Sequence, residues 1–119
     1  MAMGDAMRDD GDLGAFIVVY VTAGSEAEAR TIAQTLVTDR LAACVSLTPI
    51  TSVYRWEGAV QQEPEWQLMI KTRREHWEVL KVAIETLHSY EVPECIAVPI
   101  VTGTPSYLRW LADSTQPKN

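Results

Sequence analysis

Residues 51–72 read TSVYRWEGAVQQEPEWQLMIKT, and the fate of this stretch decides the fold. In its second half Trp66, Leu68 and Ile70 alternate with Gln67, Met69 and Lys71. That period of two belongs to a strand with one apolar face. The first half, residues 51–60, is β-branched and aromatic. Tyr54 and Trp56 fall on one face of it, Arg55 and Glu57 on the other. The two runs are expected to form the arms of a hairpin joined through QQEP, residues 61–64.

The segments on either side determine what a central hairpin can build. Upstream, AFIVVYVTA (15–23) is a continuous apolar run, as in a strand buried on both faces. Ser25 with Glu28 three residues later is a capping box. The helix it opens places Ala29, Ile32, Ala33 and Leu36 inward and fades near Arg40. LAACVSLTPI (41–50) is a second apolar strand, expected to bend or bulge at Pro49. Downstream, Thr72 and Glu75 read as another capping box, and the helix beyond aligns Trp77, Leu80, Ile84 and Leu87 in one stripe. Pro93 forces that helix to stop by Val92. ECIAVPI (94–100) reads as a core strand that turns edge-like at Pro99, and Thr104-Pro105 opens a short last helix.

The order β-α-β-β-α-β is that of an α+β, ferredoxin-like sandwich: an antiparallel sheet with both long helices on one face and a short C-terminal helix. The opposite face would then be bare. With Tyr, Trp and Met on it, cover by another subunit is expected.

Composition bounds the rest. The 119 residues make one domain with a single core, and 47% hydrophobic with 22% charged residues is ordinary for a globular protein. Of the net charge of −6, half lies in residues 1–14, where Asp5, Asp9, Asp10 and Asp12 face only Arg8. Residues 1–14 are therefore expected to be a disordered acidic tail, 15–115 the domain, and 116–119 a loose tail. No basic stripe is present, so nucleic acid is not an expected partner. No run of 18 apolar residues occurs, so no membrane span is expected, and the N-terminus lacks the pattern of a secretory signal. Two cysteines outside any CxxC motif favour free thiols in a reducing cytoplasm.

Chemistry concentrates in HSYEVPECIAVPI (88–100). Cys44 and Cys95 lie within apolar runs, where packing outweighs ligation. His76 is expected to be exposed in a first helical turn and without a role. His88 follows a helix, with Glu91 and Glu94 nearby as hard oxygen donors, so these three form a loose divalent-metal set. Against this stands a plain electrostatic role for His88 at a helix C-terminus. Tyr54 and Trp56 are an interface or core pair, or else a shelf that stacks a flat ligand while Lys71 holds its negative group. No nucleophile elbow, zinc-protease motif or phosphate loop is present, and catalysis is not expected.

Taken in order, LAACVSLTPITSVYRWEG, MIKT, HSYEVPECIAVPI and YLRWL resemble segments typical of the CutA family, the divalent-cation-tolerance proteins, over roughly residues 16–113. The resemblance implies a PII-like ferredoxin fold, a tight homotrimer and a non-enzymatic role in the response to divalent cations. It also implies copper or another divalent ion, weakly bound and not obligatory. The polar positions that match are His88, Tyr90 and Glu94, with Trp56, Glu57, Lys71, Tyr107 and Trp110 expected along a cleft between subunits. The alternative it leaves is a PII-like sensor or scaffold holding an anionic small ligand there, with Lys71, Trp56 and Tyr107. Two positions depart from the family pattern. Tyr20-Val21-Thr22 lacks the cysteine that some members carry, and Ser89 stands where the usual HPYE has proline.

Overall fold

The computed structural model describes residues 15–117. The elements run β1 (Phe16–Ala23), α1 (Glu26–Thr38), β2 (Cys44–Trp56), β3 (Ala59–Arg73), α2 (Trp77–Leu87), β4 (Cys95–Pro99) and α3 (Pro105–Ser114). A single 3-10 turn, Arg74–His76, precedes α2. The four strands form one antiparallel sheet in the order β2-β3-β1-β4, the α+β arrangement expected from the sequence. Residues 1–14, expected to be an acidic tail, and 118–119 lie outside the described residues.

The alternation in β1 sorts its side chains by face. Ile17, Val19, Val21 and Ala23 meet Leu68 and Ile70 of β3 and the buried stripes of both long helices: Ala29, Ile32 and Leu36 of α1, Leu80 and Ile84 of α2. This is the main core. At the end of the strand Phe16 instead joins Ala43 and the Leu108 and Leu111 side chains of α3 in a second, smaller cluster. Two guanidiniums and a ring secure the C-terminal end of α3, where free carbonyls concentrate negative charge. Arg40 donates to the Asp113 and Gln116 carbonyls, and Arg73 to the Ala112 carbonyl and Thr115 Oγ1. His76 Nε2 stands 2.8 Å from the Thr115 carbonyl. His76 is thus half-buried and bonded, not exposed as expected, and Gln116 of the supposed loose tail is held.

The central stretch forms its hairpin differently from the sequence expectation. QQEP lies inside β3, and the turn is Glu57-Gly58, since Trp56 pairs with Ala59 and Gln61 with Tyr54. Both turn residues have positive φ, 50° and 80°, which is the two-residue turn whose twist matches that of paired strands. Pro49 does not interrupt β2 either. The strand is at the sheet edge, where a missing donor costs no ladder bond, and Pro49 sits opposite Trp66 in register. The second capping box does not form. Thr72 is a buried β3 residue whose hydroxyl donates to the Leu41 carbonyl at 2.6 Å.

β1 pairs with β3 only as far as Trp66, so among the described residues the outer half of the hairpin has no third strand beside it. The molecule is correspondingly long, 56 × 28 × 22 Å. β4, expected as a core strand, pairs with β1 alone. Its Ile96 and Val98 remain 55% and 41% exposed, which marks a sheet edge with nothing beside it among the described residues.

Candidate functional site

Where α2 ends, the segment 88–94 folds back against the end of β1 and the N-terminus of α1. The His88 backbone closes the helix by donating to the Ile84 carbonyl. Its side chain is fully buried, contrary to the exposed corner expected from the sequence. Nε2 lies 2.6 Å from the Thr22 carbonyl, and Nδ1 lies 3.1 Å from the Tyr90 backbone nitrogen. A carbonyl only accepts and a backbone amide only donates, so Nε2 carries the proton and Nδ1 is bare. Both ring nitrogens are therefore engaged within the chain.

Glu28 anchors the same segment. Ser25 caps α1 as expected, accepting from the Glu28 amide at 3.2 Å. The Glu28 carboxylate, however, does not return to Ser25. It accepts from the Ser89 amide at 2.7 Å and from the Ser89 hydroxyl at 3.0 Å. A proline at position 89, as in the usual family pattern, could donate neither bond.

Tyr90 then projects across to the hairpin. Its ring packs on His88, centroids 4.7 Å apart, and its hydroxyl donates to Glu65 Oε2 at 2.7 Å. Burial, and next the bond to Glu65, push the phenol well above the usual tyrosine range. The phenol passes so close to Gly24 that a Cβ there would stand 3.0 Å from the hydroxyl oxygen. Gly24 thus leaves room for the Tyr90 phenol.

Between this segment and the outer hairpin lies a cavity of about 620 Å³, within the usual size range of small-molecule sites. Its walls carry the rings of Tyr54, Trp56 and Tyr90 and the carboxylates of Glu65, Glu91 and Glu94. Among the described residues no lysine, arginine or histidine lines it. Glu65 is only 7% exposed although it sits in the arm. Its Oε2 accepts the Tyr90 phenol, and no other hydrogen bond or ion pair reaches the carboxylate among the described residues.

Of the residues singled out in the sequence, Trp56, Tyr90, Glu91 and Glu94 meet at this cavity, with His88 directly behind it. The remaining residues lie elsewhere in the single chain. Glu57 is in the hairpin turn. Lys71 pairs with Val18 and Cys44 at the opposite end of the hairpin from Trp56. Tyr107 and Trp110 stack on each other along α3, centroids 5.4 Å apart. Cys95 is half-buried against the main core, and burial followed by the Glu85 charge pushes its thiol up, away from the reactive thiolate. Among the described residues no three His, Cys, Asp or Glu side chains gather as a metal-binding group. His88, Glu91 and Glu94 therefore do not form a complete ligand set within one chain.

Glu65, Glu28 and Gly24 were not found from the sequence. Glu65 was lost with the misplaced turn, which left it at the start of a strand instead of in the middle of one.

The comparisons with known proteins agree with this architecture. The family model described as CutA1 divalent ion tolerance protein matches residues 17–114. The divalent-cation tolerance protein CutA of Thermus thermophilus is 48% identical over 99 residues, 82% of this chain and 96% of that protein. The chloroplastic protein CutA of Arabidopsis thaliana is 46% identical over 84% of this chain, which spans only 56% of that longer protein. Among solved structures, a divalent cation tolerance protein from Thermus thermophilus superposes with a TM-score of 0.82 at 46% identity, covering 85% of this chain and 99% of that one. A CutA from Archaeoglobus fulgidus, described as periplasmic, gives 0.84 at 35% identity over 85% and 99%. With the family model spanning the whole sheet and its helices, the chain belongs to the CutA1 divalent ion tolerance family.

Proposed function

We propose that this protein works in divalent-cation tolerance as a homotrimer whose cavities receive cations, with copper(II) or another divalent ion held weakly at the Glu91–Glu94 rim. The observation that carries the proposal is the cavity itself: three carboxylates and no basic side chain on its walls. Such a lining attracts positive charge and repels an anion. The alternative of an anionic ligand held by Lys71 finds no support within one chain, where Lys71 is at the far end of the hairpin. One chain also supplies too few gathered donors for a metal, so further donors would come from a neighbouring subunit. His88 joins them only by giving up one of its two internal bonds. The trimer is supported by the unpaired outer hairpin and the open β4 edge, and the cytoplasmic setting by two free thiols. The role is non-catalytic.

Calorimetric titration with Cu(II) tests this reading. The double variant Glu91→Gln/Glu94→Gln should bind at least about tenfold more weakly, since losing even an outer partner of a metal site costs that much. These residues are exposed, so the fold should survive the change. A wild-type protein that binds no Cu(II), or a double variant with an unchanged isotherm, refutes it.

A further inference from the structure

The inner part of the cavity differs chemically from its rim. A metal ion needs several donors converging at roughly 2.0–2.6 Å, and among the described residues no three His, Cys, Asp or Glu side chains gather there. The space, about 620 Å³, also far exceeds a bare ion. What the walls offer instead are three half-exposed rings, Tyr54, Trp56 and Tyr90, each between 37% and 41% exposed. Beneath them is Glu65, more than nine-tenths buried, with one carboxylate oxygen bonded to Tyr90 and the other unpartnered. A buried carboxylate without a counter-charge is costly. The faces of aromatic rings attract cations, most strongly weakly hydrated ones carrying alkyl groups.

We infer that this inner pocket binds a small organic cation with an alkylammonium head group, seated against the Tyr54, Trp56 and Tyr90 rings with Glu65 as its counter-ion. The inference rests on the reading of the cavity as a cation receptor and names a second class of cation for it. Glu65 supplies charge at the floor, and the rings supply a water-poor wall that a hydrated inorganic ion cannot exploit. The alkyl groups of the ligand fill space that would otherwise hold water against apolar surface. The Tyr90–Glu65 hydrogen bond fixes both groups before the ligand arrives, so little order is lost on binding.

Tetramethylammonium chloride serves as the probe, with sodium chloride at matched ionic strength and tert-butanol as a neutral analogue of similar shape. The readout is the indole N–H resonance of Trp56, assigned with Trp56→Phe. The wild-type resonance should shift saturably with tetramethylammonium and with neither control. Glu65→Gln keeps the size of the side chain and an oxygen to accept the Tyr90 phenol. It should weaken the binding of tetramethylammonium about tenfold or more. Tyr54→Leu, on the arm, should weaken it likewise and keeps the Trp56 resonance that reports the binding. The absence of a saturable shift, an equal response to tert-butanol, or equal affinity in Glu65→Gln overturns the inference. Loss of Cu(II) binding alone, with tetramethylammonium still bound, sinks the divalent-ion reading and leaves this one standing.

Discussion

The Tyr90–Glu65 bond ties the loop after α2 to the hairpin arm, and Gly24 makes room for it. Tyr90→Phe removes the one hydrogen bond that reaches the buried Glu65 carboxylate among the described residues, so a stability loss of roughly 1–3 kcal/mol is expected near neutral pH. Gly24→Ala should weaken the same bond by pushing the phenol aside by a few tenths of an ångström, and the two changes together should cost little more than Tyr90→Phe alone, because both act on the same contact. The pH dependence has a definite sign. The folded-state pKa of Tyr90 is raised above its ordinary 10.0, so the folded state holds the proton more tightly than the unfolded chain. The contribution is complete below about pH 10 and declines above it. In urea titrations the gap between wild type and Tyr90→Phe should be flat from about pH 7 to 9 and narrow by about pH 11. A gap that stays constant to about pH 11 would count against the assignment. Little of this was legible in the sequence. Glycine in a strand-to-helix turn has many uses, and the one that applies depends on Tyr90, far along the chain. His88 shows the same limit: its position after a helix suggested solvent, whereas Thr22, equally distant in sequence, accepts its proton. Ser89 departs from the usual proline, and only the structure reveals two donors aimed at Glu28.

At the scale of elements the sequence was far more readable, because periodicity is a local property. The stripes of α1 and α2 and the alternation from Trp66 to Ile70 became the core as expected. The errors arose at element ends, where two turn signals competed. QQEP carries a proline and three polar residues, yet the chain turns at Glu57-Gly58, since only there can both central residues take positive φ at acceptable cost. Gly58 does so freely, but Glu57 at φ 50° does not. An L-residue with a Cβ pays on the order of 1 kcal/mol in that region, while asparagine tolerates it well. Glu57→Asn should accordingly raise the stability of the protein by several tenths of a kcal/mol to about 1 kcal/mol. Differential unfolding in denaturant measures this directly. A destabilised Glu57→Asn would show that the Glu57 side chain makes a contact, in the assembly, worth more than its backbone strain.

For the whole molecule, the hairpin arm poses a problem that one chain does not solve. An isolated two-stranded ribbon is marginally stable in water, and this one carries apolar side chains on both faces. Tyr54 and Trp56 project from one, while Val53 and Val60, 66% and 65% exposed, project from the other. The β4 edge adds Ile96 and Val98. Exposed apolar surface of this extent marks an interaction face, and the sequence hinted at it only through its excess of tryptophan and tyrosine over phenylalanine. An open sheet face was an expectation drawn from the topology, but the reach of the arm was not, because its length depended on the misplaced turn. If three copies bury the Val53 and Val60 face and the β4 edge against one another, light scattering behind size-exclusion chromatography should give about 40 kDa, three times the 13.3 kDa chain. Val60→Asp places a charge on the face away from the Tyr54 and Trp56 rings. Arg55 stands opposite it in register, but burying charge in an apolar interface costs several kcal/mol even when it is paired, so the variant should shift toward the single-chain mass at micromolar concentration while keeping its core helices by circular dichroism. Because the arm has no support of its own, loss of assembly should also make its amide protons exchange quickly, in residues 50–65 before any others. A wild-type mass of one chain, or an arm in Val60→Asp as protected as in wild type, would mean that the hairpin stands by itself and that the open faces have some other use.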